Sequence, residues 1–153
     1  MLQLCKVTDS LLISNTKSAC NEELLIQEGV TFCINVSRQQ PFSSLGIGTL
    51  RVPVFDKPSE NLYAYFDQCA EVIEDIVQKD GKCLVYCKNG RSRSAAVCIA
   101  YLMKYRHLQL EGAFETVKAA RPIVEPNVGF WSQLKAYEQD LQKEALNRLT
   151  QNS

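Results

Sequence analysis

Between residues 83 and 104 the chain changes character twice. An almost wholly apolar segment, Cys83-Leu84-Val85-Tyr86, gives way to the polar stretch Cys87-Lys88-Asn89-Gly90-Arg91-Ser92. An alanine-rich apolar segment, 93–104, follows at once. A short, near-continuous apolar run reads as a strand buried on both faces, which places it centrally in a sheet. The segment 93–104 reads as a helix packed on that sheet. A central strand leading through a tight loop into a helix restricts the chain to layered α/β architectures.

The remaining patterning agrees with that class. Residues 8–13 and 31–36 predict short strands rich in β-branched residues. Residues 20–27 predict a helix with Gly29 as its C-terminal cap, and 51–55 predict a further strand leading into the turn Asp56-Lys57-Pro58-Ser59. Leu62, Phe66, Cys69, Val72, Ile73, Ile76 and Val77 recur at helical spacing, a stripe ended by Gly81. Two more helices are predicted over 110–120, stopped by Pro122, and 129–149. The expectation is one α/β domain over 1–149, with a single mostly parallel sheet flanked by helices, and a frayed C-terminus over 150–153.

Bulk properties exclude several functions. With 153 residues there is room for one well-packed domain, and 17 basic against 17 acidic residues leave no net charge. Broad attraction to nucleic acid or membrane is therefore not expected. The start, Met1 to Lys6, lacks a signal-peptide pattern and a myristoylation glycine. No apolar run approaches the ~18 residues that span a bilayer. Seven cysteines at irregular spacing suit free thiols in a reducing compartment, so cytosol or nucleus is expected. The single histidine, His107, cannot support a His-rich metal site, and there is no Gly-x-x-x-x-Gly-Lys-Ser/Thr phosphate loop. No metal and no cofactor are expected.

The loop itself carries the chemistry. Between a strand and a helix, the amides of Lys88, Asn89, Gly90, Arg91, Ser92 and Arg93 can converge on an anion, and the helix aims the positive end of its dipole there. Gly90 lets the loop close tightly, and Arg93 can hold two phosphate oxygens in a planar fork. Such surroundings favour a thiolate, so Cys87 is a candidate nucleophile forming a phosphocysteine. Ser94 can donate its hydroxyl to the sulfur as the thiolate departs. Taken alone, Cys87 could be one more buried thiol; the loop argues against that. Cys5, Cys20, Cys33, Cys69, Cys83 and Cys98 read as core or surface thiols. Cys83 could in principle trap an oxidised Cys87 as a disulfide, and oxidation of a thiolate at 87 to sulfenic acid would switch activity off.

At this point the chain resembles a known family. The segment from Cys87 to Ser94 is similar to the signature loop of the cysteine-dependent protein tyrosine phosphatases. The flanks resemble the small, atypical dual-specificity phosphatases: Asn61-Leu62-Tyr63-Ala64-Tyr65-Phe66, Ala100-Tyr101-Leu102-Met103, Val117 to Pro122, and Pro126 to Leu134. The resemblance runs from about residue 8 to 137. It implies hydrolysis of phosphotyrosine, and of phosphoserine and phosphothreonine, in phosphoprotein substrates. It implies Asp56 as the acid that protonates the leaving group and then as the base that activates water; from spacing alone Asp56 is equally a turn residue. It also implies Asn127 as a residue that braces the loop, though a turn after Pro126 would use an asparagine too.

Two departures bear on function. Tyr86 stands where the family pattern has histidine, so it cannot bring a cation, although its hydroxyl can donate one hydrogen bond in support of the loop. Weaker activity is expected, and a near-inactive phosphoprotein-binding module is the alternative. Lys88 and Arg91 form a pair of cations that some branches of the family use on phosphoinositides; in the plainer reading both side chains point to solvent. A basic amphipathic helix of the kind that holds proteins to membranes is absent, so no stable membrane association is expected.

Overall fold

The computed structural model describes residues 2–151. Strands β1 (Cys5–Lys6) and β2 (Leu11–Asn15) pair antiparallel, and helices α1 (Thr16–Ala19) and α2 (Glu22–Glu28) lead to β3 (Phe32–Asn35) and β4 (Gly48–Arg51). Helix α3 (Tyr63–Gln78) precedes β5 (Cys83–Cys87), and α4 (Arg93–Tyr105), α5 (Leu110–Ala120) and α6 (Val128–Gln151) follow. The strand order is β1-β2-β5-β3-β4, parallel everywhere except at β1–β2. The expected mostly parallel sheet flanked by helices is what forms. All five residues of β5 are buried, as a central strand requires.

The pleat of the sheet divides the interior in two. Leu11, Ile13, Ile34, Val36, Cys83, Val85 and Cys87 face the larger core, built with α3, α4, α5 and α6. Leu12, Cys33, Leu84 and Tyr86 face a smaller core with Ala19 of α1 and Leu25 of α2. Helix α4 is buried almost throughout, from Ser94 to Met103, which explains why its sequence is apolar all round. No helix among the described residues is long and apolar enough to cross a membrane.

Several boundaries differ from the expectations for physical reasons. The strand expected over 8–13 lies at Leu11–Asn15 because Thr8 folds a turn: its hydroxyl accepts the amides of Ser10 and Leu11 at 3.2 and 3.0 Å. Residues 51–55 are not a strand beyond Arg51. The Val52 amide makes a last bond to the Asn35 carbonyl, Pro53 has no donor, and the Val54 amide turns back to the Val52 carbonyl. Strand β1 and helix α1 went unpredicted; each is too short to show a period, and α1 depends on the Asn15 carboxamide capping Ser18. At the end of α3 the left-handed residue is Asp80, with φ 58, while the Gly81 amide closes on the Ile76 carbonyl. Helix α6 continues through Thr150 and Gln151, where fraying was expected; residues 152 and 153 lie outside the described residues.

Candidate active site

Strands β2, β3 and β5 run parallel and in register, so Asn15, Asn35 and Cys87 reach the same edge of the sheet. Ligand sites in open α/β sheets form beyond the carboxyl ends of strands, and here the loop 88–92 occupies that position. Cys87 ends β5 with only 2% of its surface exposed.

The loop is shaped by where its carbonyls go. The Thr16 amide donates to the Lys88 carbonyl (3.4 Å), the Glu125 amide to Arg91 (2.8 Å), and the Ala96 amide to Ser92 (3.0 Å). Arg121 takes the two between: its Nη2 donates to the Asn89 carbonyl at 3.0 Å and its Nε to the Gly90 carbonyl at 2.8 Å. Five successive carbonyls are thus held outward. The amides of Asn89, Gly90, Arg91 and Ser92 have no acceptor among the described residues, which is the arrangement of an anion nest. Gly90 is required twice over. Its φ is +63°, and a Cβ there would lie 2.6 Å from the Ser14 carbonyl oxygen.

Around Cys87 the polar atoms converge. Ser94, the second residue of α4, has its hydroxyl 3.0 Å from the Cys87 sulfur, and its amide donates to that sulfur at 3.5 Å. Arg93 donates through Nη1 to the Val54 carbonyl at 3.1 Å, while its Nε is buried without a hydrogen-bond partner. A buried guanidinium N–H left unpaired is costly unless a ligand completes it. The Val54 bond also ties Arg93 to the segment that carries Asp56.

Asp56 is exposed in the turn after Val54, and its carboxylate accepts the Asn127 side-chain amide at 2.9 Å. Asn127 connects three elements. Its backbone amide donates to the Ser92 hydroxyl at 2.9 Å, and its side-chain oxygen accepts the Phe130 amide at 2.8 Å, capping α6. The carboxamide of Asn127 therefore serves Asp56, and only its backbone touches the loop.

The structure bears on three more readings of the sequence, and it corrects the first. Tyr86 does not brace the loop: its ring faces the core opposite Cys87, packs edge-on against Phe42, and its hydroxyl donates to the Pro41 carbonyl at 2.8 Å. Burial, and then the neighbouring Cys20 and Cys33, push its phenol well up, so the hydroxyl stays protonated. The Arg91 side chain does not enter the cradle; its guanidinium forms an exposed ion pair with Glu125 at 2.6 Å, and Lys88 is likewise exposed. Cys83 cannot trap Cys87. Four residues apart on one strand, their Cα atoms lie about 13 Å apart at ~3.3 Å per residue, far beyond disulfide reach.

Two contributors went unrecognised in the sequence. Arg121, at the end of α5, forms the two bonds that set the middle of the loop. Gln133 of α6 accepts the amides of Leu62 and Tyr63 at 2.9 and 2.8 Å and donates to the Glu60 carbonyl at 2.8 Å, fixing the segment after Asp56. Only the adjacency of Arg121 to Pro122, at a helix end, could have drawn attention to the first; nothing local marks the second.

Residues 11–140 match the family model described as the catalytic domain of dual specificity phosphatases. Dual specificity phosphatase 28 of Homo sapiens is 54% identical over 143 residues, covering 93% of this chain and 81% of that protein. The crystal structure of human DUSP28 superposes with a TM-score of 0.89 at 54% identity, covering 91% of this chain and 95% of that one. A mouse putative dual specificity phosphatase, crystallised with zinc tungstate, superposes with a TM-score of 0.92 at 51% identity, covering 95% and 92%.

Proposed function

The chain belongs to the dual specificity phosphatases, hydrolases that remove phosphate from proteins, and from that premise we propose that Cys87 is the nucleophile of a two-step reaction. The substrate phosphate binds the inward amides of Asn89 to Ser92 and the free Nε of Arg93. The Cys87 thiolate attacks phosphorus, the bond to the tyrosyl, seryl or threonyl oxygen breaks, and protonated Asp56 gives that oxygen its proton. Asp56, now a carboxylate, takes a proton from water; the water oxygen attacks phosphorus and the phosphorus–sulfur bond breaks. Ser94 donates its hydroxyl to the departing thiolate. Asn127 holds Asp56 in place.

The observation that carries this reading is the pairing of outward-tied carbonyls with a buried, partnerless Arg93 Nε, an arrangement of donors that suits a tetrahedral oxyanion. The mouse relative crystallised with tungstate, an ion of that shape, supports it. Seven free thiols support a reducing compartment, cytosol or nucleus. Turnover of an aryl phosphate by the parent chain should be abolished in Cys87→Ser and reduced in Asp56→Ala. Activity that survives Cys87→Ser rejects the mechanism.

Tyr86 favours a second component of the reading, low catalytic vigour. Its hydroxyl is bonded to Pro41, so position 86 brings neither charge nor a hydrogen bond to the loop. Tyr86→His should raise aryl phosphate turnover near neutral pH, and an unchanged pH–rate profile contradicts this. If the parent chain binds phosphopeptides but shows no turnover, it is a phosphoprotein-binding module. The phosphoinositide alternative is weakened because Arg91 is already paired with Glu125.

A further inference from the structure

Beside the loop stands a group of cations that the reaction does not use. Phe55 lies between Val54, whose carbonyl accepts Arg93, and Asp56; at 39% exposure it is an unusually open aromatic residue. Two cations sit over its ring. The Arg38 guanidinium carbon is 5.0 Å from the ring centroid, and the Lys57 Nζ is 5.2 Å from it. Arg38 reaches this place because Val36 donates to the Tyr86 carbonyl at 2.8 Å, bringing the segment after β3 alongside the start of the loop.

Neither cation has a carboxylate partner among the described residues. The nearby acids are engaged elsewhere: Asp56 by Asn127, Glu60 by the Phe55 amide at 2.8 Å, and Glu125 by Arg91. Lys88, exposed at the head of the loop, also lacks an acidic partner. Arg38, Lys57 and Lys88 thus stand on the rim of the phosphate cradle without an ion-pair partner among the described residues, while the Asp56 and Glu60 carboxylates are held by neutral amides. Perched on a ring, Arg38 is held in a narrower set of rotamers than a free surface arginine, and its planar fork suits a carboxylate.

We propose that Arg38 and Lys57, held over Phe55, select phosphoprotein substrates that carry an acidic residue next to the phosphorylated one. The proposal deepens the phosphatase reading and rests on it. Both charges lie outside the reacting atoms, so they act on substrate capture and leave the chemical step alone.

The test compares two phosphotyrosyl peptides identical except for flanking glutamates or glutamines, with a small aryl phosphate as control. For the parent chain, kcat/KM for the glutamate peptide should exceed that for the glutamine peptide about fivefold at low salt, as one or two partly exposed charge pairs allow. The preference should shrink at high salt. Arg38→Glu should invert it and Lys57→Gln should reduce it, through KM, while the rate on the aryl phosphate stays unchanged. Equal kcat/KM for both peptides in the parent chain, or an undiminished preference in the Arg38→Glu, Lys57→Gln double variant, overturns the proposal. Failure of the phosphatase reading is distinguishable: the aryl phosphate itself would not be turned over by a cysteine-dependent route. In that case binding of the two phosphopeptides to Cys87→Ser measures the same preference.

Discussion

Arg121 governs the loop from outside it. Replacing it with methionine removes both bonds that hold the carbonyls of Asn89 and Gly90 outward. A net value of ~0.5–1.5 kcal/mol per hydrogen bond gives a stability loss of about 1–3 kcal/mol. Freed carbonyls that swing inward would oppose an anion, so kcat/KM for an aryl phosphate should fall about a hundredfold, the scale of losing one oxyanion donor. Arg121→Lys should recover stability better than rate. Gly90→Ala forces a Cβ against the Ser14 carbonyl in left-handed backbone and should abolish activity in a protein whose circular dichroism remains folded. Among the thiols, burial pushes Cys69 up to about 12, and burial with Cys20 pushes Cys33 there too. Alkylation at neutral pH should therefore spare Cys33 and Cys69, and phosphate bound in the nest should block any labelling of Cys87; labelling of Cys87 that phosphate does not slow would count against the nest. Cys87, Arg93 and Gly90 were legible because the loop joins them within seven residues. Arg121 was not, since its role depends on how α5 returns to the sheet.

At the scale of elements, the first turns of α6 hold the segment that carries Asp56, the proposed acid. Asn127 bonds Asp56, Gln133 bonds both sides of residue 61, and Gly129 packs so tightly on Pro58 that a Cβ would overlap its carbonyl oxygen. Asn127→Ala and Gly129→Ala should therefore slow substrates with poor leaving groups, such as alkyl phosphates, much more than an activated aryl phosphate that scarcely needs a proton. A uniform loss on both would show that the acid is not what α6 positions. The helices and the central strand were readable because their apolar periods are long and uninterrupted. The paired end of 51–55 was misread because one proline outweighs the surrounding β-branched residues. Tyr86 shows the limit most plainly. Its neighbour in sequence is the proposed nucleophile, yet the pleat turns it into the opposite core, and the carbonyl it reaches lies 45 residues away.

Across the whole molecule, helices α3, α4 and α6 are joined through Asp67, which accepts the Tyr137 hydroxyl at 2.6 Å and the Lys104 ammonium at 3.1 Å. Burial raises the Asp67 carboxyl, but these two donors outweigh it and hold it below its usual range. A group depressed in the folded state stabilises above its unfolded value, near ~3.9, and that contribution fades as pH falls through and below it. Asp67→Asn should thus lower the urea midpoint more at pH 7 than at pH 3. The outward-tied loop has one more consequence. A cradle whose shape is set by bonds within the chain meets the departing inorganic phosphate in the same shape as it met the substrate. Such a receptor retains its product. Inorganic phosphate should act as a competitive inhibitor and raise the melting temperature with the logarithm of its concentration once that exceeds its dissociation constant, and the rate of a long incubation should decline before its substrate is exhausted.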